Sequence, residues 1–266
     1  MIIVLCGSKG GLGKSTLTIA IACELHARGL RVLIVDADDE QRTSLTWSEV
    51  AAEVGADVPQ VVVMGDNIIT ALPPMARAYD VVLVDCPGGN RDTTKRTSRA
   101  LGTADFALLP CGPTGPEIWA LPKTCEQVQA VQDLRPFPAY ILVCRKQPGT
   151  VLGRRARAAI EEAPLPLLDT ELDYRITYGE MTTGGQGLHT YEPKSEAAEE
   201  VRRLVDELSA RMGIDGRKKH VKKARSKPTS TEAAARSRRS SGRPRRKADR
   251  PREEGGRRAP RARAAK

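Results

Sequence analysis

Nine consecutive residues carry the most recognisable chemistry in this chain: Ser8-Lys9-Gly10-Gly11-Leu12-Gly13-Lys14-Ser15-Thr16. They lie between a short apolar run and a helical pattern. Glycines let several backbone N–H groups converge on one anion, and the N-terminus of the following helix adds a favourable dipole. A Lys-Ser pair after the last glycine is the signature of a loop that cradles nucleotide phosphates. In that chemistry Lys14 neutralises the β- and γ-phosphates, the Ser15 hydroxyl ligates Mg²⁺, and Thr16 helps hold the α-phosphate. Gly10, Gly11, Leu12 and Gly13 supply the backbone of the cradle. The strict pattern has Gly where Ser8 stands.

Carboxylates supply the rest of the expected site. Residues 31–38 (RVLIVDAD) end an apolar run with Asp36 and Asp38, which alternation sends in similar directions. Residues 80–85 (DVVLVD) close four apolar positions with Asp85 and continue as Cys86-Pro87-Gly88-Gly89. An aspartate there is expected to hold Mg²⁺ through water, and Gly88 to sit where a γ-phosphate is sensed. Phosphoryl transfer to water asks for charge neutralisation and an oriented nucleophile, with little covalent chemistry from the protein. Ligands of open α/β sheets bind at the carboxyl ends of the strands, where these aspartates fall.

The elements that must position these residues follow a regular rhythm. Residues 2–6, 31–36, 61–64, 80–85, 106–110 and 140–144 read as strands, and helical patterns lie between them, at 14–28, 117–131 and 152–162 for example. Residues 194–212 read as a closing helix. Alternation of this kind predicts an α/β fold of the P-loop NTPase type, a mostly parallel twisted sheet with helices on both faces. Aromatics are only 3% of the chain, so the core must be aliphatic.

The Lys9-Gly-Gly-x-Gly-Lys-Ser spelling resembles the deviant Walker A loop of the ParA/MinD group, in which the position of Ser8 is variable. The likeness covers about residues 1–208. It implies that Lys9 reaches across a dimer interface to a partner's ATP, that Asp38 positions the attacking water, and that Asp36 supports the Mg²⁺ shell. On this reading Lys9, Lys14 and Asp38 are catalytic, Ser15, Asp36 and Asp85 serve the metal, and Arg145 with Lys146 lies near the adenine. The family pattern continues with Pro-Gln after Asp38, where this chain has Asp39-Glu40-Gln41, and often has Asn where Cys144 stands. Residues Arg175, Tyr178, Gly184, Gly187, Tyr191, Pro193 and Ser195 look like the family's C-terminal region. With its first strand at residue 2, the chain resembles the small form without an N-terminal helix-turn-helix domain.

Charge divides the chain. The net charge is +10, yet residues 217–266 hold 21 Lys+Arg against 4 Asp+Glu, and residues 1–216 hold 22 against 29. An ATPase domain over 1–213 with a basic, low-complexity, disordered tail over 214–266 is expected, because so few apolar residues cannot offset the entropy of ordering. The six cysteines form no C-x-x-C pair and read as core thiols of a reducing compartment. No run approaches the ~18 apolar residues of a membrane span. The resemblance therefore implies a cytoplasmic, nucleoid-associated ATPase. It would dimerise on ATP, hold non-specific DNA, and segregate a plasmid or chromosomal region with a ParB-like centromere-binding partner. Arg175 and the Arg154-Arg155-Arg157 group are candidate DNA contacts in the body. The alternatives are a MinD-like or other cargo-positioning ATPase, which the absence of an apolar C-terminal helical face disfavours in its membrane form, and a metabolic ligase or synthetase of the same fold.

Overall fold

The computed structural model describes residues 1–89 and 91–214. The basic segment 217–266, with its expected disorder, lies outside the described residues. Six strands, β1 (Ile2–Leu5), β2 (Val32–Asp36), β3 (Gln60–Val63), β4 (Val81–Asp85), β5 (Phe106–Cys111) and β6 (Ala139–Val143), form one sheet. Its order is β3-β2-β4-β1-β5-β6 and every pairing is parallel. Each expected strand is present to within one or two residues.

Parallel pairing requires crossovers, and helices supply them. They are α1 (Lys14–Ala27), α2 (Thr43–Glu53), α3 (Ile68–Ala76), α4 (Arg91–Leu101), α5 (Gly115–Gln132), α6 (Val151–Ile160), α7 (Ile176–Thr183), α8 (Leu188–Tyr191) and α9 (Glu196–Met212). The period-two alternation of each strand divides its residues between two cores. Ile2, Val4, Val82, Val84 and Leu109 pack with α3 to α6. Ile3, Leu5, Val81, Leu83 and Leu108 pack with α1, α2 and α7 to α9. Strands buried on both faces read as continuous aliphatic runs, which explains the sequence signal. All six cysteines are free and buried.

Helix ends are satisfied locally. The Ser195 hydroxyl accepts from the Ala198 amide at 3.2 Å and caps α9. Gly213, at φ 64, ends that helix, and Ile214 folds back so that its amide donates to the Ser209 carbonyl. Ile214 is packed against the second core. The topology brings the ends of β1, β2 and β4 side by side, with Leu5 opposite Asp85 and Asp36 opposite Asp85.

Candidate functional site

The loop after β1 turns on two glycines in the left-handed region, Gly11 at φ 75 and Gly13 at φ 79, the latter the N-cap of α1. A side chain at either would be strained, so glycine is what lets the loop fold back over the helix N-terminus. Lys14 opens α1 and is only 7% exposed. Its ammonium donates to the Lys9 carbonyl at 3.0 Å. A buried charge needs oxygen partners, and this loop is built to give them.

Each arm of the loop is tied to α5. Ser8 donates from its amide to Thr124 Oγ1 at 3.1 Å and from its hydroxyl to the Ala120 carbonyl at 3.1 Å. The residue that departs from the strict pattern is thus an anchor. On the other arm, Arg145 donates to the Gly11 carbonyl at 2.7 Å and to Glu117 Oε1 at 2.9 Å. Arg145 sits at φ 57, a conformation uncommon for arginine. Glu117 is the third residue of α5 and closes a capping box with Thr114. The Lys9 side chain is half-buried and has no hydrogen-bond or ion-pair partner among the described residues.

Asp36 and Asp85 are buried at the sheet edge beside this loop. Asp36 Oδ2 accepts from the amides of Ser44 at 2.9 Å and Leu45 at 3.1 Å, so it fastens the N-terminus of α2. Its Oδ1 accepts from the Asp38 amide at 3.1 Å. Burial raises its pKa against the pull of those amides. Asp85 is pushed up to about 7, first by burial, with Asp36 adding to the rise and Ser15, Ser44 and Lys14 opposing it. The Ser44 hydroxyl donates to Asp85 Oδ2 at 2.9 Å. Asp85 Oδ1 is buried with no hydrogen-bond partner. Nothing in the local sequence singles out Ser44, whose role appears only where the start of α2 meets the end of β4.

That orphaned carboxylate oxygen, beside a serine hydroxyl, fits a hard divalent cation. No group of three His, Cys, Asp or Glu converges as a metal site among the described residues. Magnesium satisfies itself with one or two carboxylates plus phosphate oxygens and waters, so a sparse protein set suits it.

Asp38 is half-exposed at the mouth of the site, and its Oδ1 accepts from the amides of Gln41 at 3.0 Å and Glu40 at 3.3 Å. Gly88 closes the opposite wall. A Cβ there would lie 2.6 Å from the Lys9 carbonyl and 2.8 Å from both the Gly10 nitrogen and Lys14 Nζ. The loop after β4 therefore touches the loop after β1 directly.

Beyond Thr16 a cleft of about 720 Å³ opens between the start of α1, the end of β6 and the segment leading into α7. Leu17, Leu172, Ile176 and Tyr178 give it apolar walls, and Thr16 and Arg145 stand at its polar end. A cleft of this size, largely apolar with a few polar groups, is of the kind that takes a small-molecule ligand. Arg145 lines this cleft, and its guanidinium is engaged with Gly11 and Glu117.

The structure redirects one expectation. Arg175 is not a free cation: it donates to Glu200 Oε1 at 2.7 and 2.9 Å, to Asp173 Oδ2 at 3.2 Å, and to Glu196. Arg157 is likewise paired with Glu161 at 2.9 Å and Glu171 at 3.3 Å. Arg154 and Arg155 remain exposed on α6 without a carboxylate partner among the described residues. Lys146 pairs with Glu171 and is not among the residues lining the cleft.

The family model described as the CobQ/CobB/MinD/ParA nucleotide binding domain matches residues 3–188. Among curated proteins, the maintenance of carboxysome distribution protein A of Halothiobacillus neapolitanus is 26% identical over 204 residues, covering 75% of this chain and 92% of that protein. The chromosome-partitioning ATPase Soj of Thermus thermophilus is 27% identical over 245 residues, covering 79% and 96%. Among solved structures, the septum site-determining protein MinD of Pyrococcus horikoshii, complexed with Mg-ADP, superposes with a TM-score of 0.63 at 22% identity, covering 80% and 97%.

Proposed function

Because the chain belongs to the CobQ/CobB/MinD/ParA nucleotide-binding family, we propose that it is an ATPase whose nucleotide state controls association of two copies on DNA. Its cofactors are ATP and Mg²⁺. Lys14, with the amides of 10–16, holds the phosphates, and the cleft beyond Thr16 takes the nucleoside. Ser15 and Asp85 hold Mg²⁺, with Asp36 behind them. Held there, the cation would supply charge neutralisation for the phosphates. Asp38 orients the attacking water from the mouth of the site. Lys9 completes the neighbouring copy's site across the interface.

The observation that carries this reading is the pair of lysines on one loop. Lys14 is turned inward and bonded, while the Lys9 side chain meets no partner within its own chain among the described residues. Asp38→Ala should keep nucleotide binding and lose hydrolysis. Loaded with ATP and Mg²⁺, that variant should sediment as a dimer and the Asp38→Ala/Lys9→Ala double variant as a monomer. A monomer in both cases defeats the proposal.

DNA holding rests on exposed Arg154 and Arg155 and on the basic composition of 217–266. Random duplex DNA should bind in ATP and not in ADP. Removing 217–266 should shallow the salt dependence by about 0.9 for every phosphate that the segment neutralises. An unchanged slope assigns the binding to the body alone. The cargo is a replicon carried with a ParB-like protein. The likeness to a carboxysome distribution protein favours a second reading, in which the same cycle spaces a large protein assembly.

A further inference from the structure

Asp39 and Arg96 form an ion pair between elements 57 residues apart. Asp39 is the neighbour of Asp38 in the loop after β2. Arg96 lies in α4, the helix that follows Gly88 and Gly89. Arg96 is largely withdrawn from water and Asp39 partly so, the side chains being 19% and 35% exposed. Arg96 also approaches Asp66 at 3.7 Å, and Arg99 pairs with the same carboxylate. Two arginines of one helix thus hold the loops after β2 and β3 together at the carboxyl edge of the sheet.

The loop bearing Asp38 has few other restraints on its outer side. Its inner side is fixed by Asp36, which holds Asp38, Ser44 and Leu45 by their amides. Its outer side is wrapped on itself, with Glu40 and Gln41 donating to Asp38 Oδ1 and Arg42 Nε donating to the Asp39 carbonyl at 3.0 Å. Arg42 adopts φ 48, a strained left-handed conformation for arginine. The single strong side-chain tie from this outer turn to another element is Asp39 to Arg96, among the described residues.

We infer that the Asp39–Arg96 ion pair is a positioning strut that holds the Asp38 loop in register with α4, and through α4 with the Gly88 contact on the phosphate loop. Asp39 and Arg96 are positioning residues that act through Asp38, the neighbour of Asp39 in the loop. A nucleophile-orienting group displaced by about 1 Å costs up to 10²-fold in rate, so a strut on its neighbour has leverage. The inference rests on the ATPase reading for its catalytic consequence, and on the ion pair alone for its structural one.

Full-length wild type, Asp39→Ala, Arg96→Ala and the reversed pair Asp39→Arg/Arg96→Asp separate the two. Steady-state hydrolysis should show kcat lowered about tenfold in each single variant with KM for ATP nearly unchanged, and recovered in part by the reversal. Amide hydrogen exchange without nucleotide should be about tenfold faster at Glu40 and Gln41 in the single variants and restored in the reversed pair. Unchanged exchange in both single variants overturns the strut whatever the hydrolysis shows. Faster exchange with unchanged kcat overturns its role in positioning Asp38. Wild type that exchanges as expected but hydrolyses no ATP sinks the enzyme reading and leaves the strut judged by exchange alone.

Discussion

Strand β4 begins and ends beside an aspartate, and the two have opposite fates. Asp80, at its start, accepts from the Arg31 amide at 2.9 Å and from the Arg31 guanidinium at 2.9 and 3.2 Å, with its side chain 38% exposed. Asp85, at its end, is 1% exposed with one oxygen unpaired and a pKa pushed up by burial. One carboxylate is satisfied within the chain. The other is buried with Ser44 on one oxygen and no hydrogen-bond partner among the described residues on the second. A site is marked less by the residue type than by whether the fold satisfies it.

The sharpest test of this contrast starts at the carboxyl edge. Lys14→Ala should lower nucleotide affinity by at least about 100-fold in a fluorescent-nucleotide titration, since it removes the charge-assisted contact to the phosphates. Affinity within a few-fold of wild type would move the binding site elsewhere. Next, Asp85→Asn should abolish magnesium-dependent hydrolysis while raising unfolding stability by about 1 kcal/mol, because a buried carboxylate with one unsatisfied oxygen loses its charge. A fall in Tm would mean that Asp85 is structural after all. The smallest effect belongs to the amino edge. Asp80→Asn should cost under about 1 kcal/mol and leave hydrolysis untouched, as expected of an exposed ion pair. If the two variants shift Tm in the same direction, the contrast between the edges fails.

Legibility in the sequence followed locality. The loop 8–16 and the run 80–85 are contiguous, and their chemistry requires that contiguity, so Lys14, Ser15 and Asp85 stand out from sequence alone. The sheet was legible because doubly buried parallel strands need unbroken aliphatic runs. Helix α4 leaves little signal: RDTTKRTSRAL has few apolar residues, and its buried side is made by Thr97, Ala100 and Leu101. Helix α3 carries Pro73 and Pro74, which argue against a helix in any local reading. Contacts between distant residues were hidden altogether. Arg175 reads as a free cation in the sequence because two of its three acidic partners, Glu196 and Glu200, lie 21 and 25 residues away. Ser8 looked like a deviation until Ala120 and Thr124 came beside it. Asp39 stood in the sequence as a departure from a pattern, and gains a role only with Arg96 in view.

The strand order also sets a timetable for synthesis. β1 leaves the ribosome first, yet it lies between β4 and β5, with Ile2 opposite Val82 and Ile3 opposite Phe106. The first of these partners, β4, is complete only about 80 residues later, roughly 4–16 s of translation, and until then α1 can cover Ile3 and Leu5 but no strand can pair with β1. β2 and β3 can meet earlier, but they form only the margin of the sheet. The strand that bears the loop 8–16 therefore takes its place in the sheet only after both of its flanking strands have been made.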